Sequence, residues 1–544
     1  MHEITSEKVP FVDFKSVRSI KGYGEISKNY SPYLSDESKL AHQGAEYLFF
    51  PTNEAELSAV LREMAKRGIT VTISGARTGI VGGAVPHGGS IVSLERLDKI
   101  LGLRYDSSSK QWLVRAQCGV ILRDLNNFAM KRNFPGLNER GSAETKAFLR
   151  RYRESQTTYF YPPDPTETGA ALGGTVATNA SGARTYKYGA TRNWVRRIRV
   201  MLASGEVLEI PRGKYFATPA GEFTIIDTKG NEATVRIPKY TMPSTKNAAG
   251  IFSAPNMDLI DLFIGSEGIF GPITEVEVAL QEWQNPISIV QFLPSDDKAI
   301  DFVISLRKEK SIRPEFIEFY SSYALDFLRK RQKEDPRVVG MPPIPDYAKS
   351  AVFFDLRFDP EAKDNDYSKL EELVAECGST LARSWAAYEQ RDLDRFKNFR
   401  HVLPETTNTI IAERKKKIPE LHKLGTDLAV PDHALEEIWA FYESKLAKAG
   451  LEWLAYGHIG NNHIHINILP RTLEEMRDGL AIYHEFAKKA VSLGGTVSAE
   501  HGIGKIKKEF ISIMFSDKEL EEIKAVKIAL DPGLMINPGN MLDM

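Results

Sequence analysis

The chain has 544 residues, with 71 Lys and Arg against 72 Asp and Glu, and 42% of its residues are hydrophobic. This length allows about two to four domains, and a formal net charge of -1 argues against nucleic-acid binding, which normally requires a basic excess. The two cysteines cannot form a disulfide framework. No apolar run reaches the ~18 residues of a membrane span, and the N-terminus lacks the basic and apolar blocks of a signal peptide. We therefore expect a cytoplasmic protein.

A β-α-β unit is predicted at the start of the first domain. The segment EYLFFP (46–51) predicts a strand, and Asn53 and Glu56 have the spacing of a capping box at the start of a helix. Apolar residues at helical spacing follow until Gly68, which is typical of a helix end, and ITVTI (69–73) predicts the next strand.

Three segments along the first half are rich in glycine and other small residues. SGARTGIVGGAVPHGGS (74–90) offers backbone N–H groups without side-chain obstruction, which suits a phosphate, and a tight turn is the alternative. Because SIVSLERL after it predicts a strand rather than a helix, a nicotinamide-type dinucleotide fold is disfavoured. The segments 162–193 and 265–276 repeat this composition, which lets a backbone lie close to a large flat ligand or pack in a buried turn.

The pattern of the sequence changes near residue 284. Strand-like QNPISIVQFL (284–293) precedes helical patterns over 295–309 and 314–330, and KSAVFFDLRF (349–358) predicts another strand. We therefore predict a second domain of mixed helix and sheet.

The stretch YGHIGNNHIHINIL (456–469) contains three histidines in two strand-like runs separated by a Gly-Asn-Asn turn. In the second run His463, His465 and Asn467 share one face because side chains alternate along a strand. The turn brings His458 onto the same side as His465, as a two-histidine metal site requires. Histidines that face solvent from a polar strand are the alternative.

A second stretch, GGTVSAEHGIGKIKKEF (494–510), places Glu500 next to His501 between glycines. Adjacent side chains in extended backbone point in different directions, so one of them can complete a metal site while the other faces a substrate. Two imidazoles and a carboxylate are a usual ligand set for a catalytic divalent ion with an open position. Zinc, manganese and iron all remain open.

Six pieces of sequence, in this order, carry a resemblance to a known family: SGARTGIVGGAVP, PPDPTETGAALGGTVATNASG with YGATRN, GSEGIFGPIT, YGHIGNNHIHIN, SAEHGIGK and DPGLMINPGNML. Together they resemble the FAD-dependent D-2-hydroxyacid dehydrogenases, which include D-lactate dehydrogenase, the glycolate oxidase flavoprotein subunit and D-2-hydroxyglutarate dehydrogenase. These are flavoproteins of the vanillyl-alcohol-oxidase type. The resemblance extends from about residue 45 to residue 542.

The resemblance implies an α+β fold with a two-subdomain FAD-binding domain of the vanillyl-alcohol-oxidase type. On this basis residues 1–42 are an N-terminal arm, 43–283 the FAD-binding domain, and 284–500 a substrate or cap domain. Residues 501–544 then return to pack on the FAD-binding domain near the flavin.

The resemblance also implies which residues hold FAD. The pyrophosphate is expected on the backbone of residues 74–80, and Asn537 near the isoalloxazine. The expected FAD-binding residues are Ser74, Gly75, Ala76, Arg77, Thr78, Gly79, Ile80, Pro163, Asp164, Gly173, Gly174, Thr178, Ala180, Ser181, Gly182, Gly189, Thr191, Glu267, Ile273 and Asn537.

His458, His465 and Glu500 match the metal ligands of the family, and His501 matches its proposed base. Arg400, in FKNFRHVLPETTN, resembles the arginine that binds the substrate carboxylate. A planar guanidinium fits a carboxylate through two hydrogen bonds, and a surface ion-pair arginine is the alternative.

The chain departs from the family pattern at several positions. His463 stands where an asparagine near the substrate is common, so we do not infer the identity of the substrate from the resemblance. Gly425 stands where a basic residue is frequent, so one contact to the substrate carboxylate is expected to be missing. Residues 136–160 resemble an insertion relative to the family. Its role is left open between a lid, a contact with a partner and no function. Covalent attachment of flavin through His87 is not expected in this branch.

The expected activity is oxidation of a D-2-hydroxy acid to the 2-oxo acid by hydride transfer to flavin, with a divalent metal and a histidine base. The alternatives are a metal-free oxidase of aryl or phenolic alcohols, a flavin-dependent alkyl transferase, and a non-catalytic flavin-carrying subunit. An acceptor protein or quinone, a homodimer and a peripheral position on a membrane stay open. Cys118 and Cys377 have no expected role.

Overall fold

This computed structural model describes residues 3–334, 342–357 and 367–544. The described residues contain five β-sheets. Four of these sheets are built from strands before residue 284, and the fifth from strands after it. Helices accompany the sheets in both halves, so the α+β class is confirmed.

The sheets of the first half form two groups. A four-stranded sheet has the order β2-β3-β5-β4, and a five-stranded antiparallel sheet has the order β10-β9-β13-β7-β6. Two small sheets, β1-β11-β12 and β14-β8, complete this half. The strands are β1 (Ile4–Thr5), β2 (Ser19–Lys21), β3 (Tyr47–Phe49), β4 (Val71–Ser74), β5 (Ser90–Ser93), β6 (Ile100–Asp106), β7 (Gln111–Gln117), β8 (Tyr159–Phe160), β9 (Val195–Met201), β10 (Val207–Pro211), β11 (Glu222–Ile226), β12 (Glu232–Arg236), β13 (Ile273–Ala279) and β14 (Gln281–Glu282).

The predicted β-α-β unit is confirmed. The parallel strands β3 and β4 flank β5, and helix Glu54–Arg67 connects β3 to β4. The Asn53 side chain accepts the Glu56 N–H, but the Glu56 carboxylate accepts the N–H of Thr52 rather than that of Asn53, so the capping box is displaced by one residue. Gly68 ends the helix in the left-handed conformation.

Residues before the first predicted strand take part in two sheets of the first half. β1 pairs with β11, and β2 pairs with β3. The arm is therefore tied to both sheets through backbone hydrogen bonds.

The segment 136–160 packs into the apolar core of the first half. It forms helices Leu137–Arg140 and Ala143–Glu154, in which Leu149 and Tyr152 are buried. The ring of Tyr152 meets Trp112 edge to face at 4.9 Å between centroids. The other helices of this half are Tyr23–Asn29, Leu122–Met130, Leu172–Ala177, Thr185–Tyr188 and Ile260–Phe263.

The second half is a seven-stranded antiparallel sheet with the order β18-β15-β17-β16-β20-β21-β19. Its strands are β15 (Pro286–Leu293), β16 (Ile317–Tyr320), β17 (Ser350–Arg357), β18 (Ser384–Ala387), β19 (Leu424–Gly425), β20 (Trp453–His458) and β21 (His463–Ile468). Its helices are Asp296–Lys308, Ser322–Gln332, Ser368–Glu376, Gln390–Lys415, Leu435–Ala449 and Leu473–Ser492.

One prediction in this half is wrong. The helical pattern over 314–330 contains a strand, β16, before its helix Ser322–Gln332 begins. All four residues of β16 are buried between β17 and β20, and strand pairing on both edges satisfies the backbone there. The strand predicted over 349–358 is confirmed as β17. Phe358, the last residue of the predicted strand, lies outside the described ranges.

The C-terminal residues return to the first half. After helices Lys508–Met514 and Asp517–Leu530, Ile536 pairs with Val71 of β4, whose N–H and C=O bond the backbone of Met535 and Asn537. Within the described ranges, no helix is both long enough and apolar enough to cross a membrane.

Candidate active site

The three glycine-rich segments meet at one cleft in the first half. The cleft has a volume of about 340 Å³ and is lined by the loop after β4, helix Leu172–Ala177, residues 267–273 and Asn537. Glu500 and His501 from the second half also line it. Segments that are far apart in sequence therefore share one binding surface.

The loop after β4 offers unpaired backbone donors. Among the residues that the structure describes, no protein group accepts a hydrogen bond from the N–H groups of residues 75–80. Backbone N–H groups need acceptors when they are covered, and successive N–H groups form a concave site for anions. This loop therefore fits a pyrophosphate.

The wall formed by helix Leu172–Ala177 fits a flat ligand. A Cβ added to Gly174 would meet no protein atom within 4 Å, and Gly174 lines the cleft. A side chain at this position would project into the space that a flat ring or a phosphate needs. Together with the loop after β4, this surface fits FAD.

Replacing Gly174 with Val is expected to weaken FAD binding by about tenfold to hundredfold, because overpacking costs about 1–3 kcal/mol. The protein itself has room for this side chain, so unfolding by heat without FAD should be unchanged. FAD titration of the apoprotein, followed by quenching of flavin fluorescence, measures the effect. Gly24→Val, in helix Tyr23–Asn29 with equal space around it, is the control and should bind FAD normally.

Most residues expected to bind FAD lie on this cleft, and six lie elsewhere. The residues on the cleft are Gly75, Ala76, Arg77, Thr78, Gly79, Ile80, Gly173, Gly174, Thr178, Ala180, Ser181, Glu267, Ile273 and Asn537. The residues that do not line it are Ser74, Pro163, Asp164, Gly182, Gly189 and Thr191.

Several of the six support the cleft from behind. The Ser74 side chain is buried, and Thr191 donates to Ala180 O at 2.7 Å. Gly182 approaches so closely that an added Cβ would lie 2.0 Å from Asp164 O. Pro163 and Asp164 line a neighbouring cavity of about 420 Å³.

Asn537 and Glu267 tie the returning C-terminal residues to the cleft. Asn537 Oδ1 accepts the Ile73 N–H at 2.7 Å, and its Nδ2 donates to Gly268 O at 3.0 Å. The Glu267 carboxylate accepts the N–H groups of Ile503 and Gly504 at 2.6 and 2.7 Å. Burial raises the pKa of Glu267, although these two N–H groups oppose the shift. Glu267 therefore holds the loop after His501 against the cleft, and Asn537 holds the C-terminal residues there.

A cluster of histidines and one glutamate lies beside this cleft. Strands β20 and β21 place His458 opposite His463, and one ligand atom from each of His458, His463, His465 and Glu500 lies within 4.8 Å of the others. Gly457 makes room for this, because a Cβ there would lie 2.8 Å from His465 Cδ2. The three expected ligands come together, and His463 joins them.

Outer contacts orient two of the imidazoles towards Glu500. His458 Nδ1 lies 2.6 Å from Glu318 Oε1, and His465 Nδ1 lies 2.8 Å from Thr426 O. The Nε2 atoms then face Glu500 at 3.4 and 3.5 Å. Such outer partners fix ligand orientation in metal sites, and this donor set of imidazoles and a carboxylate fits a divalent cation.

Charges around the cluster shift its pKa values. Burial alone would lower the pKa of His458, but Glu318 outweighs it and raises the value to about 9. Burial lowers the pKa of His463 well below its usual range, with His465 adding to the effect. Burial alone would raise the pKa of Glu500, but Lys246 and His458 hold it well below its usual range.

Asp427 connects the cluster to His501. Its buried carboxylate lies 3.3 Å from His501 Nδ1 and 3.1 Å from His463 Nε2, and it accepts hydrogen bonds from Ser498 Oγ and Lys507 Nζ. Burial alone would raise the pKa of Asp427, but His501 and Lys507 hold it well below its usual range. His501 Nε2 lies 3.5 Å from Glu500 Oε1.

Arg400 lies between the cluster and the neighbouring cavity. Its guanidinium is 3.9 Å from both Glu318 and Asp164 and lies over the ring of Phe316. Within the described part of the chain, no hydrogen bond involves this guanidinium. Its donors are therefore available to an anion.

The structure shows the surroundings of Gly425, which departs from the family pattern, and of His87. A Cβ on Gly425 would lie 3.7 Å from Lys423 Cε and 3.4 Å from Asn467 Oδ1, so the Lys423 side chain passes this position. Burial lowers the pKa of Lys423 to about 8. His87 lines a separate cavity beside the C-terminal residues.

Sequence reasoning missed Glu318, Asp427 and Lys246. Glu318 lies on β16, which was predicted as helix, and Lys246 precedes a glycine-containing loop without a periodic pattern. Asp427, in the segment LGTDLAVP, could have been found from the sequence, because it is a lone acid in an otherwise uncharged segment. The structure places it just after β19, which pairs with the histidine strand β21.

Two domain families match the chain. Residues 45–145 and 152–211 match an FAD binding domain, and residues 284–541 match the C-terminal domain of FAD linked oxidases. The break at 145–152 falls within the segment 136–160.

Relatives resemble nearly the whole chain. The D-lactate dehydrogenase of Anaerostipes hadrus is 27% identical, over 91% of this chain and 89% of that protein. The D-2-hydroxyglutarate dehydrogenase of Xanthomonas citri pv. viticola is 26% identical over 91% and 88%, and glycolate oxidase subunit GlcD of Bacillus subtilis is 25% identical over 90% and 87%.

Among solved structures, an alkyldihydroxyacetonephosphate synthase aligns with a TM-score of 0.58 and 13% identity, over 98% of this chain and 89% of that one. This likeness concerns the fold alone. The matched domains in this order, with the cleft that both halves line, show that the chain belongs to the FAD-linked oxidases and is an FAD-dependent oxidoreductase.

Proposed function

We propose that this oxidoreductase oxidises a D-2-hydroxy acid to the 2-oxo acid, with a divalent cation on His458, His465 and Glu500. The observation that carries this proposal is the position of Glu500 and His501, which line the flavin cleft and at the same time border the histidine cluster. A substrate between them would contact the cation site, a base and the flavin together. Relatives that act on 2-hydroxy acids support this class of substrate.

When bound, FAD accepts the hydride and the cation lowers the pKa of a coordinated hydroxyl group. His501 is the proposed base, and Nε2 is the accepting atom because Nδ1 faces Asp427 at 3.3 Å. A carboxylate at Nδ1 favours the tautomer that carries its proton there, which leaves Nε2 free to accept one. Arg400 is proposed to hold the substrate carboxylate through its available donors.

The test is anaerobic bleaching of the purified flavoprotein by a panel of D- and L-2-hydroxy acids, with and without chelator. We expect bleaching by D-acids that falls when the cation is removed. Failure of every 2-hydroxy acid to bleach the flavin would contradict the activity. Bleaching that is indifferent to chelator would instead favour the metal-free alcohol oxidase.

Replacing Arg400 with Met is expected to raise the substrate concentration for half-maximal flavin reduction by about 10–100-fold, since a charged hydrogen bond contributes about 1.5–3 kcal/mol. Arg400→Lys should recover part of the loss because it keeps the charge without the planar fork. Stopped-flow absorbance measures this concentration. Arg395→Met, at an exposed position of the same helix, is the control, and an equal effect of both variants would contradict the role of Arg400.

A further inference from the structure

A lysine from the first half reaches into the histidine cluster of the second half. Lys246 Nζ donates to Glu500 Oε2 at 2.7 Å and lies 3.4 Å from His463 Nδ1. It also donates to Gly182 O at 3.4 Å, and its side chain is only 2% exposed. The first half of the chain therefore supplies a positive group to the cluster.

The backbone around Lys246 is held in place on both sides. Thr245 Oγ1 donates to Val430 O at 3.1 Å, and the Ala248 N–H donates to Ser498 O at 2.8 Å. The Asn247 side chain accepts from Thr496 Oγ1 at 2.5 Å. These bonds join the Lys246 segment to Val430 and to the loop that carries Glu500, so contacts with the second half position the lysine.

Lys246 and a divalent cation need the same carboxylate. Glu500 Oε2 is bound by Lys246 and lies 3.4 Å from His458 Nε2, which is one of the proposed ligand atoms. A cation on Glu500 would meet the lysine as a like charge in a buried place, where solvent screens repulsion weakly. Without a cation, the lysine offsets the cost of a buried carboxylate.

We propose that Lys246 is a positioning residue that holds Glu500 while the cluster is free of metal and lowers the affinity of the cluster for a divalent cation. The cation binds when Lys246 leaves Glu500 Oε2, so the lysine sets the concentration at which the site fills. This inference rests on the cation site under the proposed function.

The experiment is a titration of the chelator-treated FAD-containing protein with Mn²⁺, in which electron paramagnetic resonance reports free Mn²⁺. Lys246→Met is expected to bind Mn²⁺ at least about tenfold more tightly than the unchanged protein, because a like charge is removed. Lys246→Arg, which keeps a permanent charge, should bind no more tightly than the unchanged protein. Lys187→Met, which removes a lysine paired with Glu315 outside the cluster, is the control and should bind normally.

Equal or weaker Mn²⁺ binding by Lys246→Met would overturn the inference, because the lysine would then serve only to orient Glu500. If neither the unchanged protein nor Lys246→Met binds Mn²⁺, the cation site of the proposed function fails as well. If Lys246→Met does not fold with FAD, Lys246→Arg decides the matter, and tighter binding by that variant would overturn the inference. A second readout is thermal unfolding, in which Mn²⁺ should stabilise Lys246→Met more than the unchanged protein.

Discussion

Replacing His501 with Ala will slow the reduction of the bound flavin by a 2-hydroxy acid about 10²–10⁴-fold, the usual contribution of a general base. The protein will remain yellow, because the backbone donors of residues 75–80 and helix Leu172–Ala177 also line the cleft and are unchanged in this variant. The loss will fall on the rate at saturating substrate, since proton removal belongs to the chemical step.

Anaerobic stopped-flow absorbance at saturating substrate measures this rate. His422→Ala, at an exposed position before β19, is the control and should reduce its flavin at the normal rate. Full-rate bleaching of His501→Ala would exclude His501 as the base. Mn²⁺ binding should be largely kept, because His501 lies outside the group of four ligand atoms.

Replacing Asp427 with Asn will lower the free energy of unfolding by about 3–5 kcal/mol, the cost of breaking a buried ion pair from one side. The Asp427 carboxylate accepts from Ser498, from Lys507 and from the backbone N–H groups of Glu500 and His501. Asn keeps the shape but removes the charge, which leaves Lys507 buried without its partner. Flavin reduction will also slow, because Asp427 orients His501.

Urea unfolding followed by circular dichroism measures the stability change, and the same samples give the rate of flavin reduction. Asp301→Asn is the matched control, because its carboxylate pairs with Lys298 at 2.8 Å and the two side chains are 43% and 46% exposed. An exposed pair contributes about 0–1 kcal/mol, so this variant should stay close to the unchanged protein. Equal stability of both variants would contradict the prediction that the Asp427 carboxylate stabilises the fold.

Local features of the site could be predicted because they depend on neighbours in sequence. The alternation of His463 and His465 with isoleucines specifies a strand with one polar face, and the Gly-Asn-Asn turn returns the chain so that His458 lies opposite His463. The glycines of 74–90 specify a loop with accessible backbone, whichever ligand it binds. The motif order then identified the family and its α+β fold.

Contacts between distant segments could not be predicted in this way. Glu318 reaches His458 because β16 pairs with β20, whereas the periodicity around 314–330 predicts helix throughout. Lys246 reaches Glu500 across 254 positions of sequence. No periodic pattern records such a pairing, because strand order and domain packing depend on the burial of the whole chain.

The sequence by itself determined the β-α-β start, the histidine hairpin, the glycine-rich segments and the family to which they belong, since each of these depends on residues only a few positions apart. Only the tertiary structure decided that His463 joins the cluster, that Asp427 lies between His463 and His501, and that Lys246 occupies one oxygen of Glu500. The physical reason is that buried charges need partners, and a chain supplies those partners from whichever segments its packing brings together.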